Sequence, residues 1–208
     1  MYRKLNFIVY ITIIWITVDC YAQKIYYVGI PGSKLNYATS VQKKPLWCWA
    51  ASIQMVLNYY NVAITQEQIV EQTYGKNPDG SIPNLPANLE TLHRNLNNWG
   101  IDNKGKRYFV NAEFGFGPPE AILLIEELSQ KRPVIIGYKG NVGHHIVVIT
   151  ALSYYESELG PVINTIIVRD PLPDESSCTK DGRVEFDAGT LAGRITAFWF
   201  IHVMLADF

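Results

Sequence analysis

Lysine and arginine do not outnumber the acidic residues: the 208-residue chain carries 18 of the former and 19 of the latter, a net charge of −1. No basic stripe or cluster stands out. Without one, the phosphate-neutralising face that a nucleic-acid binder needs is missing. Cysteine is scarce as well, and three thiols in the whole chain are too few for a disulfide-stapled scaffold. There is no repeat of solenoid length, no low-complexity tract and no long charge block, so solenoids and disordered tails are set aside. What is present is ample material for a packed core, with 48% hydrophobic and 12% aromatic residues.

The N-terminus differs from the rest. Arg3 and Lys4 precede an apolar run from Leu5 to Val18, followed by Asp19-Cys20-Tyr21-Ala22. A basic start, an apolar stretch and small residues at the third and first positions before a cut form the pattern of a secretory signal peptide. Residues 1–22 are therefore expected to be removed, leaving a chain of residues 23–208 that is secreted or periplasmic. Asp19 stands where a lipid-anchored Cys20 would need a small neighbour. The run is shorter than the ~20 residues that span a bilayer, so no stable membrane insertion is expected of the mature chain. Cys48 and Cys178 are the thiols left after cleavage.

Trp49, Ile53, Val56, Leu57 and Tyr60 recur at helical spacing, and Ala50 and Ala51 favour helix intrinsically. This predicts a helix from Cys48 to Tyr60. Thr65 and Gln68 form a capping-box pair opening a second helix that Gly75 closes. Leu85, Leu89, Leu92, Leu96 and Trp99 mark a third, ending at Gly100, and Pro118 or Pro119 starts a fourth carrying Ala121, Leu124, Ile125 and Leu128. The period then changes. Residues 133–138, 145–152, 162–169 and 196–204 are β-branched or aromatic runs bounded by Gly, Pro and polar clusters, and they read as strands. Helices first and strands later is the order of an α+β protein, with the boundary between residues 100 and 132.

Cys48 stands at the first turn of its predicted helix, where unpaired N–H groups and the positive end of the helix dipole favour a thiolate over a thiol. A buried structural cysteine is the plain alternative. Six residues upstream, the Gln42 amide is placed to donate to the oxygen of a carbonyl under attack, an oxyanion role. In Gly143-His144-His145-Ile146-Val147-Val148-Ile149-Thr150, either histidine qualifies as the base. His145 shares a strand face with Val147 and Ile149, while His144 shares the other with Ile146 and Val148. Metal ligation by the pair is disfavoured because adjacent strand residues point apart and no third ligand has matching spacing. In Val168-Arg169-Asp170-Pro171, Asp170 ends a strand, where an acceptor orienting the histidine would sit.

Together, Gln42, Cys48 in Trp47-Cys48-Trp49-Ala50-Ala51-Ser52, the His-His-Ile-Val-Val-Ile-Thr run and Asp170 resemble the papain-like (clan CA) cysteine proteases, nearest to the C39-like and C70 (AvrRpt2-type) branch. The resemblance covers residues 36–204. It implies a fold in which a helical lobe, its long helix beginning at the nucleophile, packs on an antiparallel β-sheet or partial barrel. It also implies that His145 rather than His144 is catalytic, since the family's histidine precedes a similar apolar run; Ala151 replaces the glycine that closes that run in the family. The papain signature Cys-Gly-Ser-Cys-Trp is absent, the interval from Cys48 to His145 is shorter than papain's, and the segment from Tyr154 to Pro161 reads as a long loop.

The expected activity is hydrolysis of a peptide or protein substrate by Cys48, His145, Asp170 and Gln42, with no cofactor and no metal. Acyl transfer of the transglutaminase or amidase type uses the same residues, and a secreted binding protein without turnover could retain the fold. Trp47, Trp49 and Trp99 are expected in the core rather than lining substrate. A Cys48–Cys178 disulfide would silence the nucleophile. Oligomeric state is not written in the sequence.

Overall fold

The computed structural model describes residues 23–140, 143–172 and 181–206. The expected signal peptide and Cys178 lie outside the described residues. The helices are α1 (Gly32–Leu35), α2 (Cys48–Tyr59), α3 (Gln66–Tyr74), α4 (Leu89–Asn95), α5 (Ala121–Ser129) and α6 (Ala188–Ala192). The strands are β1 (Tyr26–Gly29), β2 (Asn98–Ile101), β3 (Arg107–Phe116), β4 (Val134–Gly140), β5 (Gly143–Ser157), β6 (Gly160–Arg169), β7 (Arg183–Asp187) and β8 (Ile195–Ala206). They form one sheet in the order β2-β3-β8-β4-β5-β6-β7, with β1 on β5, and every pairing is antiparallel.

Alternation along the central strands divides the apolar residues between two cores. Ile135, Ile146, Val148 and Trp199 pack under α2, α3 and α4. Val134, Ile136, Val147, Ile149 and Phe200 pack on the opposite face against α5 and α6. The helical lobe on an antiparallel sheet is thus present, and a thinner second helical layer covers the sheet's other face. Thr65 and Gln68 exchange both bonds of the capping box that opens α3, and Gly75 closes it at φ 74°.

Four expectations need correction. The third helix starts at Leu89, where the Asn88 side chain caps it by accepting from Thr91 N–H, and it ends near Leu96 rather than Gly100. Asn97 stops it: its amide donates to the His93 carbonyl and accepts from Ala112 N–H on β3, at 3.0 and 3.1 Å. Trp99 therefore lies on the edge strand β2 and is 69% exposed instead of buried. The segment from Tyr154 to Pro161 is no long loop, because β5 and β6 continue to a tight turn in which Ser157 Oγ donates to the Gly160 carbonyl and accepts from Leu159 N–H. Finally, strands are not confined to the second part of the chain, since β1 precedes every helix among the described residues and β2 and β3 precede α5.

Candidate active site

The start of α2 is pinned to residues 83–85. The Trp47 and Trp49 indoles donate to the carbonyls of Pro83 and Leu85 at 3.0 and 3.1 Å, and the Leu46 N–H donates to Asn84 Oδ1. Each ring is about 1% exposed, so burial of these two large aromatics, not a polar cap, fixes the position; Trp47 at the N-cap contributes no side-chain cap bond. Cys48 is the first helical residue, a free, partly buried thiol. Its helix is tied to the sheet by Ser52, fully buried, whose hydroxyl donates to the Ile146 carbonyl at 3.1 Å.

That bond brings α2 against the strand that carries His145. His145 Nε2 lies 2.7 Å from Asp170 Oδ1, and the Cys48 thiol is the other neighbouring group that acts on the charge of the ring. Burial acts to lower the His145 pKa, but the hydrogen bonds and charges of Asp170 and Cys48 outweigh it and raise the value to about 9. Tyr138, opposite His145 in the β4–β5 register, stands edge-on to the imidazole with ring centroids 5.8 Å apart and planes at 75°. Burial first, then the Asp170 charge, pushes its phenol up to about 12, so it stays neutral. His144 is exposed at the cleft mouth, so of the two histidines it is His145 that meets Asp170.

Asp170 is itself fixed. Its N–H donates to the Gly182 carbonyl and its Oδ1 accepts from Leu172 N–H, both at 2.7 Å. Gly182 has φ 66°, and a Cβ there would come 2.4 Å from the Asp170 carbonyl oxygen. Only glycine lets the chain pass so close to Asp170.

Gln42 lines the same cleft as Cys48, His145 and Asp170. Its Nε2 donates to the Lys44 and Pro45 carbonyls at 3.1 and 2.9 Å, while its Oε1 is buried with no hydrogen-bond partner. The opposite amide orientation would set oxygen against two carbonyl oxygens, so the donor end is fixed by the loop itself. The structure thus gathers all four sequence-predicted residues around one cleft. Sequence reading missed Ser52 and Tyr138. Ser52 carried a weak signal, a hydroxyl one turn beyond Cys48 on the apolar face of the helix; Tyr138 carried none, because it meets His145 only through strand pairing. Among the described residues no group of three His, Cys, Asp or Glu side chains could hold a metal ion.

A solved structure similar to this chain is the peptidase domain of Streptococcus ComA, described as a bi-functional ABC transporter involved in a quorum sensing pathway. It is 15% identical over 83% of this chain and 99% of that one, with a TM-score of 0.47. No curated protein matches the chain. The family model described as Peptidase_C39 like family matches residues 34–188, a span that holds the whole cleft from Gln42 to Asp170. The chain belongs to that C39-like family of cysteine peptidases.

Proposed function

We propose that Cys48, His145 and Asp170 act as the catalytic triad of this cysteine peptidase, with Gln42 and the Cys48 backbone N–H as oxyanion donors, on peptide or protein substrates outside the cytoplasm. The observation that carries the reading is the imidazole that meets Asp170 at 2.7 Å in the cleft it shares with Cys48, which also raises its pKa. With a pKa of about 9, His145 is protonated at neutral pH and holds the proton given up by the thiol. The sulfur attacks the carbonyl carbon, the C=O electron pair moves onto oxygen, and the oxyanion donors stabilise it. As the C–N bond breaks, His145 protonates the departing amine. It then takes a proton from water, whose oxygen attacks the thioester and releases the acid and Cys48. Asp170 orients the ring and stabilises its charged form throughout.

For Gln42, the oxyanion role asks that an Nε2 proton now shared with the Lys44 and Pro45 carbonyls turn to the substrate oxygen. Residues 1–22 act as the export signal, and residues 23–208 form one peptidase domain. Turnover of a fluorescence-quenched peptide library tests the chemistry: Cys48→Ser abolishes it and His145→Ala lowers kcat by about 10²-fold or more, whereas cleavage by Cys48→Ser protein would contradict the reading. N-terminal sequencing of the exported protein tests the first part of the chain, with Gln23 expected as the first residue and retention of Met1 against it.

A further inference from the structure

Gln66 is the first residue of α3, and its side chain is completely buried. Its Oε1 accepts from Lys43 N–H at 3.0 Å, and its Nε2 donates to the Val41 carbonyl at 2.9 Å. One amide therefore grips the backbone immediately before and immediately after Gln42, as a neighbouring strand would. The polarity of the grip is unambiguous, because an N–H must meet the oxygen end and a carbonyl the nitrogen end. The same Nε2 lies 2.8 Å from Ser40 Oγ and 3.1 Å from Gln54 Oε1. Ser40 Oγ donates to Gln54 Oε1 at 2.5 Å, and Gln54 Nε2 donates to the Ile64 carbonyl. Gln54 belongs to α2, the helix that begins at Cys48. The network thus connects the Gln42 loop directly to the nucleophile helix. On its other side, the Gln42 N–H donates to the Pro171 carbonyl at 2.8 Å, next to Asp170.

We infer that Gln66 is a positioning residue for the oxyanion site, holding Gln42 at a fixed place relative to Cys48 through the Gln54 link. The inference rests on the reading of Gln42 as an oxyanion donor. A buried amide with two backbone partners and two side-chain partners costs side-chain freedom and desolvation, and a plain apolar residue would suffice for packing at the start of α3. Its bonds are spent on the backbone at both flanks of Gln42. A misplacement of about 1 Å in a positioned catalytic group costs on the order of 10²-fold in rate, so the grip belongs to catalysis as well as to folding.

The experiment separates hydrolysis from thiol activation. Alkylation of Cys48 by iodoacetamide needs the thiolate but no oxyanion donor, whereas amide hydrolysis needs both. Gln66→Met, which keeps the volume and loses the hydrogen bonds, is compared with Gln42→Ala and with the double variant, using the best-cleaved member of the quenched peptide library. Expected for Gln66→Met are a kcat lower by about 10- to 100-fold, a KM within about twofold, and an alkylation rate at Cys48 equal to the parent's. In the Gln42→Ala background, Gln66→Met is expected to cost nothing further, since the two act through one donor. Unchanged kcat in Gln66→Met overturns the inference, as does an undiminished additional loss in the double variant. Should Gln66→Met lose hydrolysis and alkylation together, Gln66→Glu is measured in its place; the same joint loss there overturns the inference, because the damage is then general. If Gln42→Ala itself keeps full kcat, the reading of Gln42 fails and takes the inference with it, whereas a Gln42→Ala defect beside a fully active Gln66→Met removes the inference alone.

Discussion

At the scale of the residue, the proton on His145 decides the pH behaviour. Its pKa is raised from 6.5 to about 9, with burial opposing and the Asp170 and Cys48 partners prevailing. In the proposed triad the imidazolium is the acid that protonates the leaving amine, so kcat/KM is expected to hold to alkaline pH and to fall as pH passes about 9. Asp170→Ala removes the 2.7 Å partner, and a pH–rate profile should show that basic limb moved downward together with a lower plateau. An unmoved limb would mean that Asp170 does not hold the charge. Stability follows the same proton. Because the folded value lies above the unfolded one, His145 contributes stability in full below pH 6.5, and that contribution is lost as pH rises through about 9. Tyr138 gives this pair a dry edge-on wall, its phenol neutral throughout the range.

Among the elements, the hydroxyls of Ser52 on α2 and of Thr65, which caps α3, differ in what they do. Ser52→Ala removes the buried bond between α2 and β5. It should cost about 1–3 kcal/mol in denaturant unfolding and lower kcat as well, because Cys48 and His145 are placed by those two elements. Thr65→Ala removes the capping-box hydroxyl of α3 and should cost about 1 kcal/mol with kcat unchanged. Equal kcat effects in the two variants would contradict the separation. The elements that carry Cys48, His145 and Asp170 were legible in the sequence because each has strong local signals: helical apolar spacing after Cys48, a β-branched run after His145, and Asp-Pro at a strand end. β3 was not legible. Its buried Tyr108, Val110 and Ala112 alternate with exposed Arg107, Phe109, Asn111 and Glu113, and Phe109 outside with Ala112 inside blurs the period. β1, β2 and β7 are four or five residues each, short enough that pairing with a long neighbour, not propensity, makes them strands. The end of α4 was hidden for a similar reason: Asn97 stops it through a bond to Ala112, fifteen residues away in sequence.

For the whole molecule, the chain's net charge of −1 and a cleft whose carboxylate, Asp170, is engaged by His145 leave little long-range field to steer a substrate. The kcat/KM of a neutral peptide should therefore change less than about twofold between low and physiological salt; a steep fall with salt would reveal a charged binding surface distant from the cleft. The sheet explains how sites far apart in sequence become one. Its order places β4 between β8 and β5, so Tyr138, His145 and Asp170 come to one end of neighbouring strands while α2 lies across the face beside them. Sequence could name Cys48, His145, Asp170 and Gln42 as a set, but the contacts that hold them belong to pairings that no local pattern announces. The most direct test of the central claim is the rate of iodoacetamide labelling of the reduced protein at pH 6, mapped to the modified residue, in the parent, Cys48→Ser and His145→Ala proteins. Rapid labelling at Cys48 that is lost in His145→Ala is the expected result. Labelling no faster than that of an ordinary free thiol, or labelling at Cys48 indifferent to His145→Ala, would contradict it.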